Sequence, residues 1–144
     1  MSTPTHYFTT DHRRCDTLWS EVEAAADASD QPRLAAAFEA FAAATERHFH
    51  MEEEVLFPAF EAATGMSGGP TMVMRMEHVQ IRGLLSQLAT LVTAGAHRRV
   101  LDLGDTLLML VQQHNAKEEA MLYPMADRAV GHHWEEIRAE LAAY

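Results

Sequence analysis

Cysteine is nearly missing from this sequence. Cys15 is the only one in 144 residues, so no internal disulfide can hold the fold, and a reducing, cytoplasmic setting is the expectation. Glycine (7) and proline (5) are also scarce and clustered, most densely in the run Gly65-Met66-Ser67-Gly68-Gly69-Pro70. Long stretches are therefore free of helix breakers. No apolar run approaches membrane-spanning length, and the start shows no basic-then-apolar pattern of a secretory leader. Bases are few as well: 11 Lys and Arg stand against 21 Asp and Glu, a net charge of −10. A surface of that sign repels nucleic acid and anionic membrane, and neither is expected as a partner.

What is abundant forms helices: alanine, leucine, glutamate and methionine. Apolar residues make up 48% and charged residues 22%, the composition of an ordinary folded domain, taken here as one unit over residues 1–144. Helical periodicity runs from about Thr10 to Ala28, Pro32 to Thr64, Thr71 to Ala94 and His97 to Arg128. Gly131 ends the last of these, and a short helix from Trp134 to Ala143 is expected to cover one end. Short connections force antiparallel neighbours, so the predicted fold is all-α, an up-down-up-down four-helix bundle. Pro58 and Pro124 fall inside the second and fourth helices and are expected to kink them.

An internal repeat is the strongest signal. His48-Phe49-His50-Met51-Glu52-Glu53-Glu54-Val55-Leu56-Phe57-Pro58 aligns with His114-Asn115-Ala116-Lys117-Glu118-Glu119-Ala120-Met121-Leu122-Tyr123-Pro124, both reading H-x-x-x-E-E-x-x-L-[FY]-P. The same offset carries His12 onto His78, Asp11 onto Glu77, Leu18 onto Leu84 and Phe41 onto Leu107. The chain thus reads as two helix pairs related by a pseudo-two-fold axis.

His48 and Glu52 are four residues apart and share a helix face, as do His114 and Glu118. Stepping back by threes and fours from His48 meets Ala44, Phe41, Ala37 and Leu34; from His114 it meets Leu110, Leu107, Leu103 and Val100. His12 heads a stripe of Cys15, Trp19 and Val22, and His78 one of Ile81, Leu85 and Leu88. All four histidines and both glutamates therefore face the core. Burying unpaired carboxylates is costly, and two divalent cations remove that cost, two histidines on each with Glu52 and Glu118 bridging. Four histidines with two glutamates invert the carboxylate-rich ligand set of ferritin-like bundles. An imidazole-rich set suits Fe, Zn, Cu or Ni better than Mg or Ca.

These motifs resemble the hemerythrin family, specifically its HHE cation-binding branch, over essentially the whole chain. The resemblance implies a non-haem di-iron centre of two iron ions, oxo- or hydroxo-bridged, that meets O2, NO or peroxide. By matching position its ligands are His12, His48, Glu52, His78, His114 and Glu118. The sequence departs from oxygen-carrying members in two places: Arg82 stands where they have a second histidine four residues on, and His114-x-x-x-Glu118 replaces H-x-x-x-x-D. The site is thereby more symmetric and more open, closer to iron-repair, NO-responsive relatives, whose additional cysteine-bearing amino-terminal domain is not found here.

Other residues read more plainly. His50 and Glu54 belong to a polar face; His6, His97, His132 and His133 read as surface histidines. Glu53 and Glu119 are either partners of the histidine rings or surface, while Asp16 and Glu77 are weaker candidates for that role. Arg82, near His78, lies either at the site or its mouth or, the preferred reading, snorkels to the surface; Met72, Met74 and Met76 read as core filling, and Cys15 as a small buried residue. Tyr7, Trp19, Phe49 and Tyr123 read as packing residues. The leading functional expectation is a cytoplasmic di-iron protein that binds or senses a small diatomic ligand, O2 or NO, or handles iron under oxidative or nitrosative stress. A di-iron enzyme acting on peroxide or NO and a structural zinc bundle are the alternatives.

Overall fold

The computed structural model describes residues 2–144 and contains helices and no strand among them. Helix α1 spans Pro4–Asp27, α2 Gln31–Met51, α3 Phe57–Thr64, α4 Pro70–Thr93, α5 His97–Lys117, α6 Tyr123–Val130 and α7 Trp134–Leu141. The chain is continuous from α2 into α3 through a π-turn, Glu52–Leu56, and from α5 into α6 through a second, Glu118–Leu122. The long rods are thus the four that the periodicity predicts. The first begins at Pro4 rather than near Thr10, because Thr3 caps it by accepting from the His6 N–H, and Pro4 suits a first turn. Asp30 caps α2 in the same way, accepting from Arg33 N–H. Gly65, at φ 71°, supplies the left-handed residue that ends α3.

Neither Pro58 nor Pro124 produces a simple kink. Each follows a π-turn, in which Phe57 N–H bonds Glu52 C=O and Tyr123 N–H bonds Glu118 C=O, five residues back. Widening the turn ahead of a proline relieves the clash of its ring with the preceding turn. Each turn opens at a glutamate of the interior, Glu52 or Glu118.

Helix α1 packs on α2 and α5, and α4 packs on α5 and α2, closing a four-sided bundle; α7 covers one end, against the first π-turn. The core is divided in two. One cluster, under α7, contains Phe8, Met51, Phe57, Phe60, Tyr123 and Trp134; the other contains Trp19, Phe41, Phe49, Ile81, Leu88 and Leu107. Buried His12, His48, Glu52, His78, His114 and Glu118 are polar residues of the same interior. Met74 joins the first cluster, but Met72 and Met76 are exposed, against the expectation of core filling. Alternate positions on a helix cannot all face one way, and only Met74 falls on the inner stripe.

Candidate metal centre

All six residues singled out from the sequence meet in the middle of the bundle, and all are buried. They form two groups, each residue offering one ligand atom within 4.8 Å of the others: Glu52, His78, His114 and Glu118 in one, and His12, His48 and Glu118 in the other. Each repeat unit thus brings its own pair of histidines, His12 and His48 from α1 and α2, His78 and His114 from α4 and α5. Glu118 belongs to both groups. Glu52 belongs to one, although its Oε1 also lies 3.4 Å from His48 Nε2.

The rings are held from outside. His12 Nδ1 donates to Glu119 (2.7 Å), His48 Nδ1 to Asp11 (2.7 Å), His78 Nδ1 to Glu53 (2.7 Å) and His114 Nδ1 to Glu77 (2.8 Å). A carboxylate only accepts when ionised, so Nδ1 carries a proton and Nε2 is the nitrogen that faces inward, open to a second proton or to a metal. The repeat governs this layer too: Asp11 and Glu77 hold the histidine of the neighbouring helix within their own unit, whereas Glu53 and Glu119 reach across to the other unit. Cations back every one of the four carboxylates. Arg13 pairs with Glu119, Arg47 and Arg14 with Asp11, Arg82 with Glu53, and Lys117 with Glu77.

Of the candidates for this outer layer, Glu53, Glu119 and Glu77 hold histidines, and Asp11 does so without having been singled out for it. Its signal was the offset that aligns it with Glu77. Asp16 instead pairs with exposed Arg13. Arg82 does not enter the site, and it is no free snorkelling side chain either. It clamps Glu53 through two nitrogens (2.8 and 2.9 Å), reaches Glu46 (2.8 Å), and lies 5.2 Å over the Phe49 ring. Phe49 in turn stacks on His78 at 3.8 Å.

Tyr123 packs in the core as expected, but it does more than pack. It is buried, but its hydroxyl sits inside the cluster, donating to Glu52 Oε2 at 2.7 Å and lying 3.0 Å from Glu118 Oε1, 3.1 Å from His12 Nε2 and 3.4 Å from His48 Nε2. The available signal was the variable position of the repeat, Phe57 in one copy and Tyr123 in the other.

Electrostatics set the demand of this layer. Burial works against charge on His48, yet Glu52 and its bond to Asp11 raise its pKa well above the ordinary range. His114, buried too, is carried up to about 9 by Glu118, Glu52 and its bond to Glu77, and His78 rises through its contacts with Glu52 and Glu53. Burial likewise opposes charge on Glu52, but His48 and the other neighbours hold it well below the usual carboxylate range. Glu53 falls to about 2, burial being overcome by His78 and Arg82. Even so, Glu52 Oε1, Glu118 Oε2, His78 Nε2 and His114 Nε2 are sealed from solvent without a hydrogen-bond partner. An orphaned buried polar atom costs roughly 1–3 kcal/mol, and a cation among these four satisfies them together. The donor set fits a metal.

A cavity of about 30 Å³ adjoins the cluster, touching His12, His48 and His114 and walled by Trp19, Phe41, Ile81 and Leu107, with half-buried Cys15 beside them. One water needs roughly 10–15 Å³ on such a measure, so there is room for a molecule of about two heavy atoms.

The family model for hemerythrin, described as the hemerythrin HHE cation binding domain, matches residues 3–126. No curated protein and no solved structure matches the chain. No helix of the described residues is long and apolar enough to cross a membrane.

Proposed function

The chain belongs to the hemerythrin family as an HHE cation-binding domain, and from that premise we propose that it holds two iron ions and binds or senses a small diatomic ligand, O2 or NO. One observation carries the reading: four buried, partnerless donor atoms, two of imidazole and two of carboxylate, in a single cluster. His78, His114, Glu52 and Glu118 are the residues for one ion, and His12, His48 and Glu118 for the other. Iron suits imidazole-rich sets and supplies redox chemistry toward O2 and NO.

The chain's own residues do the rest. Asp11, Glu53, Glu77 and Glu119 fix each ring so that Nε2 faces the metal, which raises the basicity of the ligand. The apolar walls of the cavity admit a small, weakly polar molecule and keep bulk water from the histidines. The single cysteine supports a reducing, cytoplasmic setting, and the net charge of −10 argues against nucleic acid or anionic membrane as partner.

Reconstitution of the metal-free chain with ferrous iron under anaerobic conditions tests this reading. The expected result is two irons per chain and new visible absorbance on exposure to O2 or NO. Bands that vanish when the gas is removed mark a reversible binder; bands that persist mark a redox sensor. A chain that takes up zinc alone and stays colourless overturns the proposal.

A further inference from the structure

The Tyr123 hydroxyl has more neighbours than a buried phenol can use. It has one proton to give, and Glu52 Oε2 at 2.7 Å takes it. The other three close atoms, Glu118 Oε1 (3.0 Å), His12 Nε2 (3.1 Å) and His48 Nε2 (3.4 Å), belong to the three residues that could together hold one cation. Donors bound to a common ion at about 2.0–2.1 Å stand about 3 Å apart when they lie at right angles. The phenol oxygen keeps close to that spacing from each of the three. It is also firmly placed, since Tyr123 is fully buried, packs on Phe8 at 5.4 Å, and lies directly beyond the π-turn that Glu118 opens.

The other repeat unit supplies the contrast. The residue related to Tyr123 is Phe57, which brings only a ring, packed on His78 at 5.8 Å. One oxygen atom thus breaks the pseudo-two-fold symmetry at the centre of the molecule.

We propose that Tyr123 is a metal donor, its phenolate oxygen joining His12, His48 and Glu118, and that the two metal positions are therefore chemically unequal. The proposal rests on the metal-binding reading above. On binding, the phenol O–H bond is exchanged for an oxygen–metal bond and the proton leaves to solvent, as it does when other protonated side chains become ligands. Among the described residues, the position formed by Glu52, His78, His114 and Glu118 has no fifth side chain of this kind.

The test compares the wild-type chain with Tyr123→Phe after loading with iron and exposure to air, by metal count and by resonance Raman scattering under visible excitation. The wild type is expected to show a phenolate-to-ferric charge-transfer band with enhanced tyrosine ring modes, both lost in an iron-loaded Tyr123→Phe. Ring-deuterated tyrosine incorporated into the wild type must shift those modes, a readout that holds even where the variant fails to fold or load. Wild-type protein that carries iron without tyrosine modes, or modes that persist in loaded Tyr123→Phe, overturns the proposal and leaves the metal reading standing. Wild-type protein that takes up no iron overturns both.

Discussion

The two halves of the bundle, one built on α1 and α2 and the other on α4 and α5, make the same frame of histidines and carboxylates with different surroundings. Histidines, inner glutamates and outer carboxylates all obey the 66-residue repeat, down to which carboxylate stays within its unit and which crosses. The cations outside them do not. Arg13, Arg47, Arg82 and Lys117 correspond to Val79, Gln113, Asp16 and Met51 in the other unit. A partly exposed ion pair is worth little, about 0–1 kcal/mol, and its position is free to drift. An acceptor on a buried imidazole orients a ligand, and its position is not.

The sharpest way to break the likeness of the halves is through the residue they share. Glu118 belongs to both groups, so Glu118→Ala is expected to bring metal content close to zero after reconstitution. His12→Ala and His78→Ala each spoil one group and are expected to leave about one metal per chain. Equal metal loss in all three variants would show that the two positions fill only together.

Protons compete with metal for the same lone pairs, and pH sharpens the comparison. In the metal-free chain the pKa of His114 is raised to about 9. The stability it contributes is complete below the ordinary histidine value of about 6.5 and is lost as pH rises through 9. With metal the sign reverses, because the ligand is neutral imidazole and affinity climbs over the same window. Thermal melts of the metal-free and loaded chains between pH 6 and 9 are expected to diverge; parallel curves would remove His114 from the ligand set.

Asp11→Asn and Glu77→Gln test whether the outer layers of the halves are equivalent. Each is expected to weaken metal binding by roughly 10–100-fold, measured by competition with a chelator, and by the same factor in either half. The smallest effect belongs to Arg82→Met. Because Glu53 keeps its bond to His78, the loss of stability is expected to stay below about 1 kcal/mol in chemical denaturation. A larger loss would mean that the stack of Arg82 on Phe49 and His78 carries the geometry of that half.

Much of this centre is legible in the sequence because the repeat copies residue type and spacing together. Four histidines heading apolar stripes and two glutamates a turn away leave little freedom about where they meet. Tyr123 was not legible, since a tyrosine and a phenylalanine at related positions pack alike, and only the local geometry shows which atom a hydroxyl reaches. Asp11 was half visible through its alignment with Glu77. The exposure of Met72 and Met76 could not be read from residue type, because apolar side chains are common on protein surfaces. The π-turns escaped for another reason: proline announces a disturbance in the helix, but whether it bends or widens depends on what packs around it.

Those two turns bear on which insertions and deletions the chain can absorb. A π-turn accommodates one residue more than an α-turn without redirecting the helix beyond it. Deleting one residue at Ala43, in unbroken α-helix, rotates everything beyond it by about 100° and turns the next stretch of the apolar stripe out of the core. Deleting Glu54 or Ala120 instead lets the π-turn close to an α-turn, so that Phe57 and Phe60, or Ala126 and Val130, keep their inward places. The cost falls on the proline, whose ring then meets the carbonyl four residues before it. The chain can thus lose one residue at either of two positions while the bundle around them still closes.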